Sequence, residues 1–378
     1  MRRLAEILSP SAMADLTDWL FQKTVGRHIP LSVHIDLTMR CNERCIHCYR
    51  VIERRPELTT EELKTLLGDV ARAGTLYLTF SGGEVFLRAD LFELIEHARR
   101  LHFDVRLKSN ALLITPEKAA RLRALAVREV DISIYSADPT VHDWVTKVPG
   151  SLGRSLEGAA LLRDAGVTVK LNCPLMKQNV GQYKEIRALA ERLGVLSGFD
   201  PMITAKNDGD TSPVKLRITR EELRQVLQDP ALNPHRGKPA PVESGPGYVR
   251  SDLDDIPCGA SHNACYISAY GDVMPCVAMP IACGNVRDEP FAEIWHRSPE
   301  MLRVRSIRIR DLHTCSTCAA SPFCTRCPGQ ALVETGDLHG PSPANCEHAL
   351  VAAQVAGSSA VPASMLRAAV PSGAVSRS

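Results

Sequence analysis

Aromatic residues are scarce in this chain of 378 residues, with Phe, Trp and Tyr together at 5%. An excess of one charge sign is missing too: 45 Lys and Arg stand against 43 Asp and Glu, a net charge of +2. A nearly neutral chain carries no field that demands a nucleic acid or an anionic membrane as partner. Long apolar runs are also lacking. No stretch approaches the roughly 18 apolar residues of a membrane span. The opening "MRRLAEILSPSAMADLTDWL" is interrupted by Glu6, Ser9 and Ser11 before it reaches signal-peptide length. These absences argue against a membrane protein and a secreted disulfide scaffold, and the expected location is the cytoplasm.

What the chain has in quantity is cysteine. Thirteen are present, an odd number, and they cluster. Three lie at positions 41, 45 and 48, nine fall between 258 and 346, and only Cys173 stands apart. Clustering without a secretory signal points to metal ligation.

Between Leu31 and about Thr204, strand-like and helix-like stretches alternate. The strand-like segments are 31–38, 76–80, 104–109, 129–135, 168–173 and 195–203. Amphipathic helices separate them, with legible ends: Thr59/Thr60 before early glutamates and Gly74 after, Thr115 followed by Pro116, and a run from Asn179 to Gly194. Six βα units predict a parallel sheet, either a partial (β/α)6 barrel like an incomplete TIM barrel or a flat doubly wound sheet. Residues 1–30 are expected to be a helical N-terminal segment. Residues 205–257, rich in Pro, Gly and Asp around one helix near Thr219–Gln228, are expected to bridge two domains. From 258 to about 350 periodicity fades, and metal is expected to stand in for a hydrophobic core. The stretch 351–378 is low in complexity and expected to fray.

"CNERCIHCYR" (41–50) directly follows the first strand. A closed zinc site needs four protein ligands, and His47, adjacent to Cys48, is badly placed to be the fourth. Three thiolates on an iron–sulfur cubane leave one iron open for an external ligand. After the second strand comes "FSGGEVFLR" (80–88), where Gly82 and Gly83 permit close backbone approach and Glu84 can pair with an ammonium. The loops after strands three to six offer Ser109 and Asn110, Ser136 and Asp138, Pro174 and Lys177, and Asn207 and Asp208, all at carboxyl ends, where barrel enzymes assemble their sites.

The CxxxCxxC spacing, with the GGE segment, resembles the radical S-adenosylmethionine (SAM) superfamily over residues 30–205. The resemblance implies a 4Fe–4S cluster on Cys41, Cys45 and Cys48 whose fourth iron is chelated by SAM. It also implies His47 against the adenine, Gly82, Gly83 and Glu84 at the methionine ammonium, Ser109 and Asn110 lining the same site, and Ser133 near the ribose or carboxylate. The family's arginine a dozen residues beyond that serine is absent, and Thr146 and Lys147 occupy the stretch.

The second cysteine field resembles the SPASM extension of radical SAM peptide-modifying enzymes. Cys258, Gly271 and Cys276 are followed by the dense run "CSTCAASPFCTRC" and by Cys346, with the last gap of the run one residue shorter than usual. The resemblance implies two auxiliary 4Fe–4S clusters: Cys258, Cys265, Cys276 and Cys327 on one, Cys315, Cys318, Cys324 and Cys346 on the other. Cys283 is the alternative to Cys265. Standing alone, these cysteines suit zinc ribbons equally well.

In "ISIYSADPTVHDWVTKVPGSLGRSLEGAALLRDAG" (132–166) and "FCTRCPGQALVETGD" (323–337) the chain resembles, within the superfamily, the group of the coenzyme PQQ peptide cyclase. That implies an oxidoreductase-type peptide maturase that cross-links or otherwise modifies a ribosomally made precursor peptide. It implies a flavodoxin- or ferredoxin-like reductant and, since little sequence precedes Leu31, a separate leader-peptide recognition protein. The alternatives are a dehydrogenase acting on an aminosugar alcohol and a sulfatase-maturase-like enzyme. Asp138, Asp208 and Asp210 are candidate catalytic bases only by their position on the active face.

Overall fold

The computed structural model describes residues 10–230, 232, 252–359, 361, 362, 364 and 365. Residues 1–9, the bridge segment "RGKPAPVESGPG" and the tail beyond 365 lie outside the described residues.

All six expected strands form: β1 (Ser32–Thr38), β2 (Tyr77–Gly82), β3 (Asp104–Ser109), β4 (Glu129–Ser133), β5 (Thr168–Pro174) and β6 (Leu196–Asp200). They pair in parallel and in chain order, each with the next. A doubly wound sheet reverses its order at a switch point. This one never reverses, so every right-handed crossover returns to the same face, as in a barrel.

The two faces of the sheet differ accordingly. Val33, Ile35, Leu78, Phe80, Val105, Leu107, Val130, Ile132 and Leu171 are completely buried in the main core. The residues between them line the inner face, where a closed eight-stranded barrel would pack branched apolar side chains. Here that face carries cross-strand ion pairs instead, Arg106–Glu129 at 3.8 Å and Lys108–Asp131 at 3.2 Å. The barrel is partial and its inner face is wet.

The helices are α1 (Pro10–Arg27), α2 (Thr60–Arg72), α3 (Leu91–Arg100), α4 (Pro116–Ala124), α5 (Pro139–Thr146), α6 (Ser151–Asp164) and α7 (Tyr183–Leu193). They are followed by α8 (Arg220–Gln228), α9 (Phe291–Arg297), α10 (Pro299–Ser306), α11 (Pro328–Thr335) and α12 (Pro343–Val355). The expected caps operate. Thr59 and Glu62 form a reciprocal capping box on α2, and the Thr115 hydroxyl accepts from Lys118 N–H with Pro116 in the first turn of α4. Helix α12 runs five residues into the stretch expected to fray, because Val351 and Ala353 are fully buried there.

The section from Cys258 does not stand apart as a metal-cored domain. A short strand β7 (Ala264–Ile267) extends the sheet from the free edge of β1 in parallel register, Ser32 opposite Ala264 through Ile35 opposite Ile267. Strands β8 (Asp272–Met274) and β9 (Gly284–Asn285) follow antiparallel, completing the order β6-β5-β4-β3-β2-β1-β7-β8-β9. Ile267, Val273, Phe291, Ile294, Trp295 and Met301 join the main core. Around the cysteines packing shrinks to small clusters, one with Ala260, Met279, Val304 and Ile309 beside Cys258, Cys276 and Cys315, the other with Ala320, Leu350 and Ala353 beside Cys318 and Cys324.

Candidate functional site

The loop after β1 carries Cys41, Cys45 and Cys48, and the loop after β2 packs against it so closely that only glycine fits. A Cβ on Gly83 would stand 2.1 Å from the Arg40 carbonyl oxygen, and one on Gly82, whose φ is +143°, 2.2 Å from that of Thr38. The approach is held by Gly83 N–H to the Thr38 carbonyl (2.7 Å) and Glu84 N–H to the Arg40 carbonyl (2.8 Å). Glu84 is fully buried and accepts from Ser109 Oγ (2.8 Å), Asn110 N–H (2.7 Å) and Phe86 N–H (3.1 Å). Asn110 Nδ2 in turn donates to Asn42 Oδ1 at 2.6 Å, so the first three βα loops are tied together. Burial raises the Glu84 carboxyl above its ordinary value, against the hydrogen bonds that favour its charge. Among the described residues no cation pairs with it within 4.0 Å.

Below the cysteine loop lies a buried polar anchor that the sequence did not announce. Arg50, two residues after Cys48, grips Asp36 on β1 through Nε (2.9 Å) and Nη2 (3.0 Å), and Nη2 also donates to Ser81 Oγ. Tyr266 of β7 donates to the same carboxylate at 2.8 Å. His34 Nε2 lies 3.3 Å from it but is too poorly aligned for a hydrogen bond. Arg50 holds the Asp36 carboxyl far below the carboxylate range despite complete burial.

The three thiols fit a metal cluster better than any role of their own. None is in a disulfide. Burial pushes Cys41 up to about 11 and Cys45 higher still, so the protein alone keeps both protonated, and contact with a metal centre is what reverses that. Among the described residues no three His, Cys, Asp or Glu side chains converge on a single-ion site. Three cysteines are one ligand short of a closed zinc site, whereas a cubane spreads its ligands over separate irons. Buried groups around the loop lack partners: His47 Nδ1 and Glu43 Oε1 make no hydrogen bond. Desolvation lowers His47 to about 4, so its ring is neutral, and it sits edge-on to Tyr135 with centroids 4.9 Å apart. The Tyr135 hydroxyl lies 3.5 Å from Cys45 Sγ, with Ser133 as its other neighbour. A buried carboxylate with no cation beside it, Glu84, an unpaired ring nitrogen and a glycine cradle together suit a ligand bearing an ammonium and an aromatic base.

The three candidate aspartates have local duties. Asp138 caps α5 by accepting from Thr140 N–H, Asp208 accepts from Asp210 N–H, and Asp210 pairs with Lys206 at 2.8 Å. The carboxylate that does face a cavity is Asp200, at the carboxyl end of β6. The cavity holds about 250 Å³ and is bounded by His47, Asn172 and Asp200 on the barrel side and by Ala278, Gln330 and Val333 on the other. Asp200 is open to a water molecule yet enclosed by protein, and this desolvation raises its carboxyl above the ordinary value. The sequence does not single it out, because the strand-like stretch runs on to 203 and hides the end of β6 at Asp200.

The far wall of the cavity belongs to the second cysteine field. Ala278 follows Cys276, and α11 begins directly after Cys327. A Cβ on Gly329 would meet the Ala278 carbonyl oxygen at 2.4 Å, so glycine allows these two segments to touch. Cys315, Cys318, Cys324 and Cys346 lie close enough to perturb one another electrostatically. Cys327 feels Cys258 and Cys276. Cys265 feels Cys283 and Cys276, and both Cys265 and Cys283 are packed into the main core. The shortened gap between Cys324 and Cys327 is accommodated by Arg326, buried with a positive φ of 42°.

Comparison with known proteins agrees with this geometry. Residues 35–190 match the radical SAM superfamily and residues 258–328 an iron–sulfur cluster-binding domain, SPASM. The chain is 30% identical to the AdoMet-dependent heme synthase of Nitratidesulfovibrio vulgaris, over 80% of this chain and 88% of that protein. It is also 30% identical to the mycofactocin maturase MftC of Mycolicibacterium smegmatis, over 84% and 83%. Identity to the PqqA peptide cyclase of Rhodopseudomonas palustris is 28%, over 84% and 86%. The fold is shared with Streptococcus suis SuiB in its complex with the precursor peptide SuiA, at a TM-score of 0.65 and 16% identity, covering 86% of this chain and 79% of that one. The expectations drawn from the two cysteine fields converge with these matches: this chain belongs to the radical SAM superfamily and carries a SPASM iron–sulfur domain.

Proposed function

We propose that this radical SAM enzyme oxidatively modifies a side chain of a ribosomally made precursor peptide, by cross-linking or a related reaction. The observation that carries the reading is the cavity between the barrel mouth and the SPASM residues. At about 250 Å³ it is smaller than the roughly 300–1,000 Å³ of sites for drug-sized ligands, and it suits one inserted amino-acid side chain.

In this reading Cys41, Cys45 and Cys48 hold the SAM-binding 4Fe–4S cluster, and Gly82, Gly83, Glu84, His47, Ser109, Asn110 and Ser133 form the SAM pocket. Cys258, Cys276 and Cys327 with Cys265 or Cys283, and Cys315, Cys318, Cys324 and Cys346, hold the auxiliary clusters. When bound, cluster and SAM supply a 5′-deoxyadenosyl radical able to take hydrogen from an unactivated carbon. The chain's own residues do the rest. Glu84 compensates the ammonium, neutral His47 presents an apolar ring face, and the cavity walls exclude water and aim the substrate carbon. Asp200, the carboxylate of the cavity, is placed to accept the proton that the oxidised substrate gives up, and the electron that leaves with it would go to the auxiliary clusters when these are bound. A reducing cytoplasm suits thirteen free cysteines, and a separate leader-recognition protein delivers the peptide.

Anaerobic incubation with SAM, reductant and a short peptide encoded next to the gene, followed by mass spectrometry, tests this. Loss of two hydrogens supports cross-linking, and an unmodified peptide overturns the reading. A second reading, heme-forming chemistry, is favoured by the 30% identity to a heme synthase. A tetrapyrrole would need the cavity to widen, and turnover of an iron porphyrin precursor in the same assay would establish it.

A further inference from the structure

Breaking the sulfonium bond of SAM consumes one electron, and no side chain supplies it. The electron therefore enters from outside, and where it enters is readable from the outer rim of the three-cysteine loop.

Cys41 and Cys48, at the two ends of the loop, are exposed. The loop is stitched to the end of α5 by Arg44 N–H to the Thr146 carbonyl (2.9 Å) and Ile46 N–H to the Val145 carbonyl (3.1 Å). This stitching gathers residues from three segments: Arg44 of the loop, Trp144 and Lys147 at the end of α5, and Arg154 of α6. Arg44, Lys147 and Arg154 are exposed. Trp144 is 47% exposed, with the Lys147 ammonium 4.3 Å from its ring centroid. The charge of Arg154 is felt by Glu43 inside the loop.

The carboxylates nearby do little to cancel this charge. Asp143 is spent on Gly150 N–H, the Ser151 hydroxyl and Leu152 N–H, and Glu43 is buried. Glu157, three residues beyond Arg154, is exposed and offsets part of it. The rim is thus locally basic on a chain that is nearly neutral overall, and it surrounds an apolar anchor. His47 and Tyr49, by contrast, face the cavity, so a protein seated on the rim would not compete with substrate.

We propose that Arg44, Trp144, Lys147 and Arg154 form the docking surface for an acidic one-electron carrier protein. The inference rests on the radical SAM reading of the site. Charge complementarity selects the partner and speeds its encounter, and Trp144 supplies the apolar contact. Arg44 is bonded directly to Cys45, so the carrier's redox group is brought beside the cluster-binding loop. The carrier gives up one electron, which is consumed in cleaving the carbon–sulfur bond.

The test compares two reductants, reduced flavodoxin and dithionite, by the rate of 5′-deoxyadenosine formation in wild type, K147E/R154E and W144A. With flavodoxin, K147E/R154E should be slower by roughly tenfold or more, and the wild-type rate should fall steeply with salt while the variant's does not. With dithionite, all three should match. W144A, which leaves the charges in place, should slow the flavodoxin reaction without changing its salt dependence. Equal slowing with both reductants, or an unaffected flavodoxin rate, overturns the proposal. Weakened peptide binding with an unchanged carrier rate would also overturn it, giving the rim to substrate instead. Wild type that makes no 5′-deoxyadenosine with dithionite would instead sink the radical SAM reading of the site.

Discussion

Asp36→Asn should destabilise the joint between β1 and β7 by about 3–5 kcal/mol, the usual cost of leaving one member of a buried pair alone. Asp36 is completely buried and Arg50 is 16% exposed at its side chain. The amide would keep an acceptor for one guanidinium nitrogen but turn a donor toward the other and remove the charge. Arg50→Met should cost a similar amount, because Asp36 would be left with Tyr266 alone and would take up a proton. Since each change already destroys the same pair, D36N/R50M should cost about 3–5 kcal/mol, not the sum. The coupling is thus about 3–5 kcal/mol, as large as either single effect. Global unfolding of a cluster protein is not two-state, so the assay is native-state hydrogen exchange at Ile35 and Ile267, which face each other across the joint. Each single variant should speed exchange by roughly two to three and a half orders of magnitude, and the double variant by no more. Strict additivity, or single effects below about 1 kcal/mol, would refute the claim that the pair acts as a unit. The pH dependence has a definite sign. The folded pKa of Asp36 lies below its unfolded value, so the stabilisation is present above the ordinary carboxylate range. It is lost as pH falls toward the folded value.

Further outcomes follow from the site. Gly83→Ala should abolish SAM binding by isothermal titration while cluster absorbance persists, because the added carbon meets the Arg40 and Met39 backbone, which cannot rotate away. Asp200→Asn should remove the acidic limb from the pH–rate profile, which in wild type rises as the carboxylate deprotonates above its raised pKa; Lys108 opposes that shift and does not abolish it. The same substitution should add slight stability at neutral pH, since a folded carboxyl with a raised pKa penalises folding once pH exceeds its unfolded value. Replacing Cys41, Cys45 and Cys48 together by alanine should remove about a third of the iron, as one cluster of three, and eliminate 5′-deoxyadenosine formation.

The barrel was legible because most of its strands are long enough to alternate and several of its helices announce an end. Thr59, Thr115 and Gly194 are caps that act within a few residues of themselves, so local sequence suffices to find them. Strand β7 was not legible. Four residues, "ACYI", cannot show a period, and their placement depends on the open edge of β1, more than 200 residues earlier. The cysteine loop and GGE could be read because spacing constrains metal and backbone chemistry locally. Asp200 and the Asp36–Arg50 anchor could not, since their meaning comes from what surrounds them in space. Asp138 and Asp210 illustrate the converse: loop aspartates chosen by position alone turned out to cap a helix and close a turn.

The splice of β7 onto β1 has a mechanical consequence. A domain attached by a tether could swing open like a door to admit its substrate, but this one is a continuation of the same woven surface and shares its stiffness. Whatever electronic traffic runs between the cysteine-rich end and the barrel mouth does so over a span that thermal motion cannot vary much.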